Sequence, residues 1–207
     1  MFATRATVPV LVAAVLLAAC GGDANPKASP SPTTEPANTA PPTLTPEQQA
    51  EADIQAAFEQ LIAVWDDFKA NASDYGGTEG WNIELVGRWN LEGAASADLA
   101  NWIGAWRSSA IEQIGRTSID SHEVFDVELD VTNRGIHEAM STACLDMSQL
   151  AYVDFDGVAA ELPSPPSLYQ RWQMSWTYAP EADPESGTET RGWYLHRIEI
   201  ALDEACH

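Results

Sequence analysis

The sequence predicts an α+β fold in which N-terminal helices pack on a curved, four-stranded antiparallel sheet. Between residues 46 and 115, apolar side chains recur every three or four positions, the period of an amphipathic helix. From Thr117 onward they alternate with polar side chains, the period of a half-buried strand. Helices followed by a run of strands, instead of the two in alternation, are typical of α+β domains.

The first helix is predicted to begin at Pro46. Thr45 is a capping residue, Pro46 takes the first helical position, and Gln48 completes the capping pattern. One apolar stripe then runs to about Ala70, formed by Ile54, Phe58, Leu61, Trp65 and Phe68. This stripe must be buried against the rest of the domain.

Two more helices are predicted before the strands. A glycine-broken stretch around residues 76–80 is followed by a short helix over 83–89. Ser96 then caps a longer helix, which Gly115 ends. Its apolar positions are Leu99, Ile103, Trp106, Ala110 and Ile114.

Four strands are predicted to follow. The first places Phe125, Val127, Leu129 and Val131 on its buried face and leads into a turn at 133–135. The second spans 136–146 and the fourth spans about 192–202. The third spans 168–178, with alternate residues facing one way: Trp172, Met174, Trp176 and Tyr178.

The N-terminus has the composition of a secretory signal. Arg5 supplies a positive start, residues 8–19 form a 12-residue apolar stretch, and small residues precede Cys20. At about 1.5 Å per residue, this stretch spans only about 18 Å of a hydrocarbon core roughly 30 Å thick. We therefore predict a signal peptide over residues 1–19, not a transmembrane helix.

A tether is predicted to separate Cys20 from one globular domain. Residues 21–46 hold seven prolines and seven serines or threonines, with almost nothing to bury. Such a segment cannot offset its ordering entropy by burial, so we expect residues 20–46 to be disordered. Residues 47–207 are enough for one domain with its own core.

The charge of the chain excludes one class of partner. Without residues 1–19 the chain has 9 basic and 31 acidic side chains, a formal charge of −22. A field of this sign repels the phosphates of nucleic acids. We see no phosphate-binding glycine loop, nucleophile elbow or metal-binding motif, and the sequence predicts no cofactor and no metal site.

Several features together resemble one family. Residues 17–20, Leu-Ala-Ala-Cys, resemble the lipobox of bacterial lipoproteins, and the tether follows directly. The long first helix carries Trp65, residues 144–146 read Cys-Leu-Asp, residues 191–195 read Arg-Gly-Trp-Tyr-Leu, and Cys206 lies near the end. The chain thus resembles actinobacterial lipoproteins whose extracytoplasmic domain has the cone-shaped nuclear transport factor 2-like fold.

The resemblance implies where in the cell the protein is located. In lipoproteins the lipobox cysteine takes a diacylglyceryl group before the signal is removed. We therefore expect Cys20 to hold the protein in membrane lipid on the extracytoplasmic face of the cell membrane. The alternative is a secreted protein in which Cys20 is incidental.

Two cysteines remain once Cys20 is lipidated. In an exported protein an even remainder suggests a disulfide, so Cys144 and Cys206 are predicted to pair. Closing a loop of about 60 residues would contribute roughly 4 kcal/mol in the chain-entropy model. The alternatives are two buried free thiols, or metal ligands together with His207.

The resembled fold builds a pocket between its sheet and its helices, and some relatives place catalytic carboxylates there, as ketosteroid isomerases and epoxide hydrolases do. Asp146 is the first candidate acid in this chain, although a carboxylate at a strand end also commonly holds a turn. The other candidate pocket residues are His137, Tyr152, Tyr169 and Trp172. Most tryptophans are expected in the core, with Trp81 and Trp89 as candidates for a pocket rim or partner surface.

Two functions are consistent with these features. The favoured one is a non-enzymatic envelope lipoprotein that binds a small apolar ligand, a wall component or a protein partner. The alternative is a pocket enzyme of the isomerase or hydrolase type that uses a buried carboxylate. A homodimer formed through the sheet is a further candidate assembly.

Overall fold

The computed structural model describes residues 44–75, 89–130, 137–160, 162, 167–180 and 191–202. These residues belong to one compact unit, Pro42–His207. The predicted signal peptide, nearly all of the predicted tether, residues 83–88 of the predicted short helix and the predicted turn at 133–135 lie outside them. The described elements are α1 (Pro46–Ala70), α2 (Gly93–Ser108), β1 (Ile111–Ile114), β2 (Ser118–Glu128), β3 (Glu138–Asp146), β4 (Ala151–Asp154), β5 (Tyr169–Ala179) and β6 (Gly192–Leu202).

The predicted α+β class is confirmed. Strands β2, β3, β5 and β6 form a curved antiparallel sheet in that order, and both helices contact it. Strands β1 and β4 pair antiparallel as a separate two-stranded ribbon, with Ile111 opposite Asp154 and Ile114 opposite Ala151. The four-stranded sheet was predicted from the sequence, but the ribbon was not.

The predicted start of α1 is confirmed in detail. The Thr45 hydroxyl accepts a hydrogen bond from the Gln48 backbone N–H at 3.2 Å, and Gln48 Oε1 accepts one from the Thr45 backbone N–H at 3.0 Å. This reciprocal pair satisfies two of the donors that a helix start leaves unpaired. The predicted stripe faces the core, where Ile54, Phe58 and Phe68 are fully buried.

The helix predicted to follow a cap at Ser96 ends earlier than its apolar spacing indicated. It is α2, which is capped at Glu92, begins at Gly93 and ends at Ser108. Ala110 has a φ of +51°, a left-handed conformation that does not continue a right-handed helix. The residues expected to form its last turn are instead β1, since a short apolar run fits either a helix or a strand.

The buried face of β2 changes within the strand. Phe125 was predicted to be buried with Val127 and Leu129, but it is exposed opposite Met140. A bulge lies between Phe125 and Glu128, and Asp126 within it has a φ of +49°. The extra residue shifts the alternation, so Val127 and Leu129 pack against the core while Phe125 does not.

The predicted alternation of β5 is confirmed. Trp172, Met174 and Trp176 are buried, and Tyr178 packs against the same core. The Trp176 indole N–H donates to the Ser141 hydroxyl at 2.8 Å, which satisfies both polar groups inside the core.

Trp89 corrects one expectation about the tryptophans. It was a candidate for a pocket rim or partner surface, but it is 3% exposed and belongs to the core. Trp81, the other candidate, lies outside the described residues. Within the described part of the chain, no helix has both the length and the apolar character needed to span a bilayer.

Candidate functional site

A cavity of about 530 Å³ lies between the two helices, the β1–β4 ribbon and the sheet. Its volume is in the range of small-molecule binding sites. Four tryptophans form much of its wall, and we call it the tryptophan-lined cavity: Trp65 on α1, Trp102 and Trp106 on α2, and Trp172 on β5. Aliphatic side chains complete the apolar lining, among them Ile62, Leu145, Ile198 and Ile200.

The four indole rings contact one another in tilted or T-shaped arrangements. The centroid of Trp65 lies 6.4 Å from those of Trp102 and Trp106, and Trp102 lies 5.7 Å from Trp172. These separations are typical of favourable aromatic contacts. Trp65, Trp102 and Trp106 are only half-buried, so part of each ring is open to a ligand.

A buried ion pair lies at one end of the cavity. Asp66 and Lys69, one turn apart on α1, are separated by 3.0 Å between Oδ1 and Nζ, and each side chain is 5% exposed. Asp66 Oδ1 also accepts from Gln113 Nε2 at 2.9 Å and from the Thr117 hydroxyl at 2.8 Å. Oδ2 accepts from the Thr117 backbone N–H at 2.6 Å. The carboxylate therefore has four donors, three on Oδ1 and one on Oδ2.

These contacts decide the protonation of Asp66. Burial by itself would raise its pKa, but the Lys69 ammonium and the hydrogen bonds from Gln113 and Thr117 together hold the pKa below the ordinary value of 3.8. Asp66 is thus a carboxylate at neutral pH. It is a weak base.

Lys69 supplies the positive charge of the buried ion pair. Burial lowers its pKa from 10.5, and the Asp66 carboxylate counters part of that shift. Its Nζ lies 5.4 Å from the centroid of the Trp65 ring and 5.6 Å from that of Trp106. Cation–π contacts at this range favour the ammonium form.

Two polar atoms of the lining have no hydrogen-bond partner. Gln113 is 3% exposed, and its Oε1 is unpaired; the indole N–H of Trp106 is likewise buried and unpaired. Both side chains line the tryptophan-lined cavity. A buried polar group left unsatisfied costs about 1–3 kcal/mol, so a molecule that satisfies both atoms has something to gain.

Tyr152 lines the cavity from β4 and packs on Trp106, with 5.9 Å between ring centroids. Burial raises the pKa of Tyr152, and the negative charge of Asp66 raises it further. The phenol therefore keeps its proton at neutral pH and remains a neutral hydroxyl group facing the site.

Asp66 is suited to holding the geometry of the site more than to acid–base chemistry. A general base needs a free lone pair and a pKa near the working pH. Asp66 is a poor base, because four donors surround it and its pKa is lowered. Asp98 is an acid that lines the cavity from α2, half-buried.

The sequence-based candidates are distributed over the molecule. Tyr152 and Trp172 line the cavity, whereas Asp146, His137 and Tyr169 are not among its lining residues. Asp146 accepts from the Ser148 backbone N–H at 2.7 Å and holds the turn after β3, as the alternative interpretation of it supposed. Backbone and side-chain hydrogen bonds from Ser148 lower the pKa of Asp146.

The other two candidates have structural contacts. His137 Nδ1 accepts from the Asp130 backbone N–H at 2.6 Å, next to the connection between β2 and β3, and its ring lies 5.2 Å from Tyr178. Tyr169 begins β5 and pairs with Asp146. Neither reaches the cavity.

Three polar residues in or beside the cavity were not among the sequence-based candidates: Asp66, Lys69 and Gln113. A signal existed in α1, because Ile62, Asp66 and Lys69 are spaced by four and three residues and so share one helix face. Two opposite charges on a face next to the apolar stripe indicate a buried pair.

One cysteine has a defined place in the fold. Cys144 is 3% exposed on β3 and is disulfide-bonded. It is the only cysteine among the described residues. The predicted partner Cys206 and the predicted lipidation site Cys20 lie outside them, so the Cys144–Cys206 pairing stays a prediction.

A second concave region has a different character. A groove of about 360 Å³, here called the acidic groove, is lined by Asp126, Glu128, Glu138, Ala139, Met140, Ser175, Trp176, Thr177 and His196. The three acidic side chains are exposed. Across the described residues, no group of three or more His, Cys, Asp or Glu side chains is arranged to hold a metal ion.

Comparisons with known proteins add little to this geometry. The sequence matches no protein-family model, and no curated protein is significantly similar to it. Among solved structures, the chain is similar to the intermembrane space region of the chloroplast protein ARC6, with a TM-score of 0.38 and 11% sequence identity. The match covers 71% of this chain and 95% of that one.

Proposed function

We propose that this chain is a membrane-anchored envelope lipoprotein whose globular unit binds a small, largely apolar molecule in the tryptophan-lined cavity without transforming it. The observation that carries the proposal is the cavity itself, about 530 Å³ with four tryptophans in its wall. Apolar pockets with a few fixed polar groups are the usual form of small-molecule sites.

The polar end of the cavity supports binding over catalysis. The enzyme alternative requires a carboxyl group that exchanges protons with a substrate. Asp66 instead stays ionised and bonded to Lys69, Gln113 and Thr117. This neutral pair fixes the geometry of the polar end, and the other lining residues select the ligand.

The proposal includes the nuclear transport factor 2-like fold. Helices before a four-stranded antiparallel sheet, with a cavity between them, are consistent with that fold. It also includes the envelope location, with membrane lipid as the partner of Cys20. The formal charge of the whole chain, −21, favours a partner that is neither nucleic acid nor an anionic surface.

Binding is tested with the full chain in lipid nanodiscs and methyl adamantane-1-carboxylate, a compact apolar ester, by isothermal titration calorimetry. Saturable 1:1 binding is expected after subtraction of the heat from empty nanodiscs. Trp102→Ala should weaken binding roughly tenfold, because it removes ring contacts from the wall.

The matched control is Phe155→Ala. Phe155 is an exposed aromatic residue, 44% accessible, outside the cavity lining. Its loss should leave the affinity unchanged. If the unaltered chain binds neither this ester nor the corresponding carboxamide or carboxylate saturably, or if the two variants have equal affinity for the ester, the proposal is overturned.

The anchor is tested separately. The unaltered chain should take up radiolabelled palmitate in a bacterial host and fractionate with membranes, whereas Cys20→Ala should do neither. Ser31→Ala, a change within the predicted tether, is the control and should behave like the unaltered chain. If Cys20→Ala still incorporates label or stays with membranes as fully as the control, lipidation at Cys20 is wrong.

A further inference from the structure

The unpaired atoms at the polar end of the cavity indicate which hydrogen-bonding groups a ligand needs there. Gln113 Nε2 donates to Asp66 Oδ1 at 2.9 Å, and a carboxylate can only accept. The amide nitrogen of Gln113 must therefore face Asp66. Its Oε1, buried and without a partner, is left as an acceptor.

The Trp106 indole N–H supplies the complementary atom. It is a donor only, it is buried, and it has no partner. Trp106 and Gln113 both line the tryptophan-lined cavity. Two lining residues thus carry one unsatisfied acceptor and one unsatisfied donor, both buried just beneath the surface of the cavity.

The charges nearby argue against an ionised ligand group. The Asp66–Lys69 pair is already neutral, with 3.0 Å between its charged atoms. An added anion would lie near the Asp66 carboxylate, and an added cation would lie near the Lys69 ammonium. Either one would also lose its hydration in a largely apolar cavity. Asp98, the other acid of the lining, is only half-buried, so water still stabilises its charge.

We infer that the ligand of this cavity has an apolar body and an uncharged head group that both donates and accepts hydrogen bonds, a primary carboxamide or a hydroxyl. The head donates to Gln113 Oε1 and accepts from Trp106 Nε1. The body lies among the indole rings. This inference rests on the proposed function, since it names the class of molecule that the same cavity binds.

Three adamantane derivatives of nearly equal size test the inference on the full chain in nanodiscs. Adamantane-1-carboxamide donates and accepts, methyl adamantane-1-carboxylate only accepts, and adamantane-1-carboxylate is an anion. Calorimetry is expected to show the amide binding roughly fivefold tighter than the ester, the contribution of about one net hydrogen bond. The carboxylate is expected to bind most weakly.

Two variants test which side chains cause the preference for the amide over the ester. Trp106→Phe keeps an aromatic ring but removes the indole N–H, and Gln113→Met keeps the length of the side chain but removes the acceptor. Each should reduce the amide-to-ester ratio towards one. Trp102→Phe, a change of the same kind in the same wall, is the matched control and should weaken both compounds alike while preserving the ratio.

The outcomes separate the two proposals. If the ester and the amide bind with equal affinity, or the carboxylate binds tightest, the head-group inference is overturned while the binding function stands. If the amide-to-ester ratio is unchanged in Trp106→Phe, the inference is also overturned, because the indole N–H then does not contribute to the preference. If none of the three compounds binds the unaltered chain, both proposals fall.

Discussion

The tryptophan-lined cavity and the acidic groove both contain or adjoin carboxylates, but they hold them in opposite ways. Asp66 beside the cavity is 4% exposed and bonded to three side chains and one backbone N–H. Asp126, Glu128 and Glu138 in the groove are exposed to water. In a chain with 31 acidic residues, solvent stabilises the exposed carboxylates, whereas a buried one requires fixed partners.

The comparison also shows where specificity resides. The acidic groove is open, and water competes for each of its charges. Two polar atoms of the residues lining the cavity, Gln113 Oε1 and Trp106 Nε1, are buried away from water, so each has a large effect on what binds there. High net charge and the candidate site are therefore separate features of this protein.

The largest expected effect is from breaking the buried pair. Lys69→Met should lower the free energy of unfolding by about 3–5 kcal/mol, because Asp66 is left as a buried charge without its cation. The change is measured by urea denaturation monitored by tryptophan fluorescence. The double variant Asp66→Asn with Lys69→Met should recover part of the loss, since no buried charge remains.

Glu138→Gln in the acidic groove is the control for this experiment. Removing an exposed charge should change the free energy of unfolding by less than about 0.5 kcal/mol. If Lys69→Met costs no more than Glu138→Gln, the distinction between a buried, partnered carboxylate and solvated ones does not hold for this protein.

A smaller effect concerns pH. His122 packs against Phe58 with 4.6 Å between ring centroids, its Nε2 is unpaired, and burial lowers its pKa from 6.5 to about 4. The unfolded chain therefore binds more protons at His122 than the folded chain between those values. Its contribution to stability is complete above pH 6.5 and decreases as the pH falls towards 4.

Urea denaturation at pH 7 and pH 4.5 measures this contribution. The unaltered chain should lose more stability between the two values than His122→Gln does, because glutamine does not titrate. His196→Gln provides the comparison, since His196 lies in the acidic groove with 52% of its side chain exposed. An identical loss in His122→Gln and the unaltered chain would assign the acid response to other groups.

Local patterns were enough to predict much of the fold. The capping box at Thr45 and Gln48, the buried stripe of α1 and the alternation along β5 depend on neighbours a few residues away, and the structure confirms them. The end of α2 and the face of Phe125 were predicted wrongly, because a left-handed residue at Ala110 and a bulge at Asp126 interrupt the periods on which the predictions relied.

The sequence by itself determined the α+β class, the start of α1 and the inward face of β5, because helical and strand periods act between near neighbours. It also established the large negative charge and the signal-like N-terminus that motivates a lipid anchor at Cys20. The tertiary structure alone brought Asp66 to Gln113 and Thr117, which are 47 and 51 residues away along the chain. Such partners are chosen by how α1 packs against the β1–β4 ribbon, and no local pattern encodes that packing.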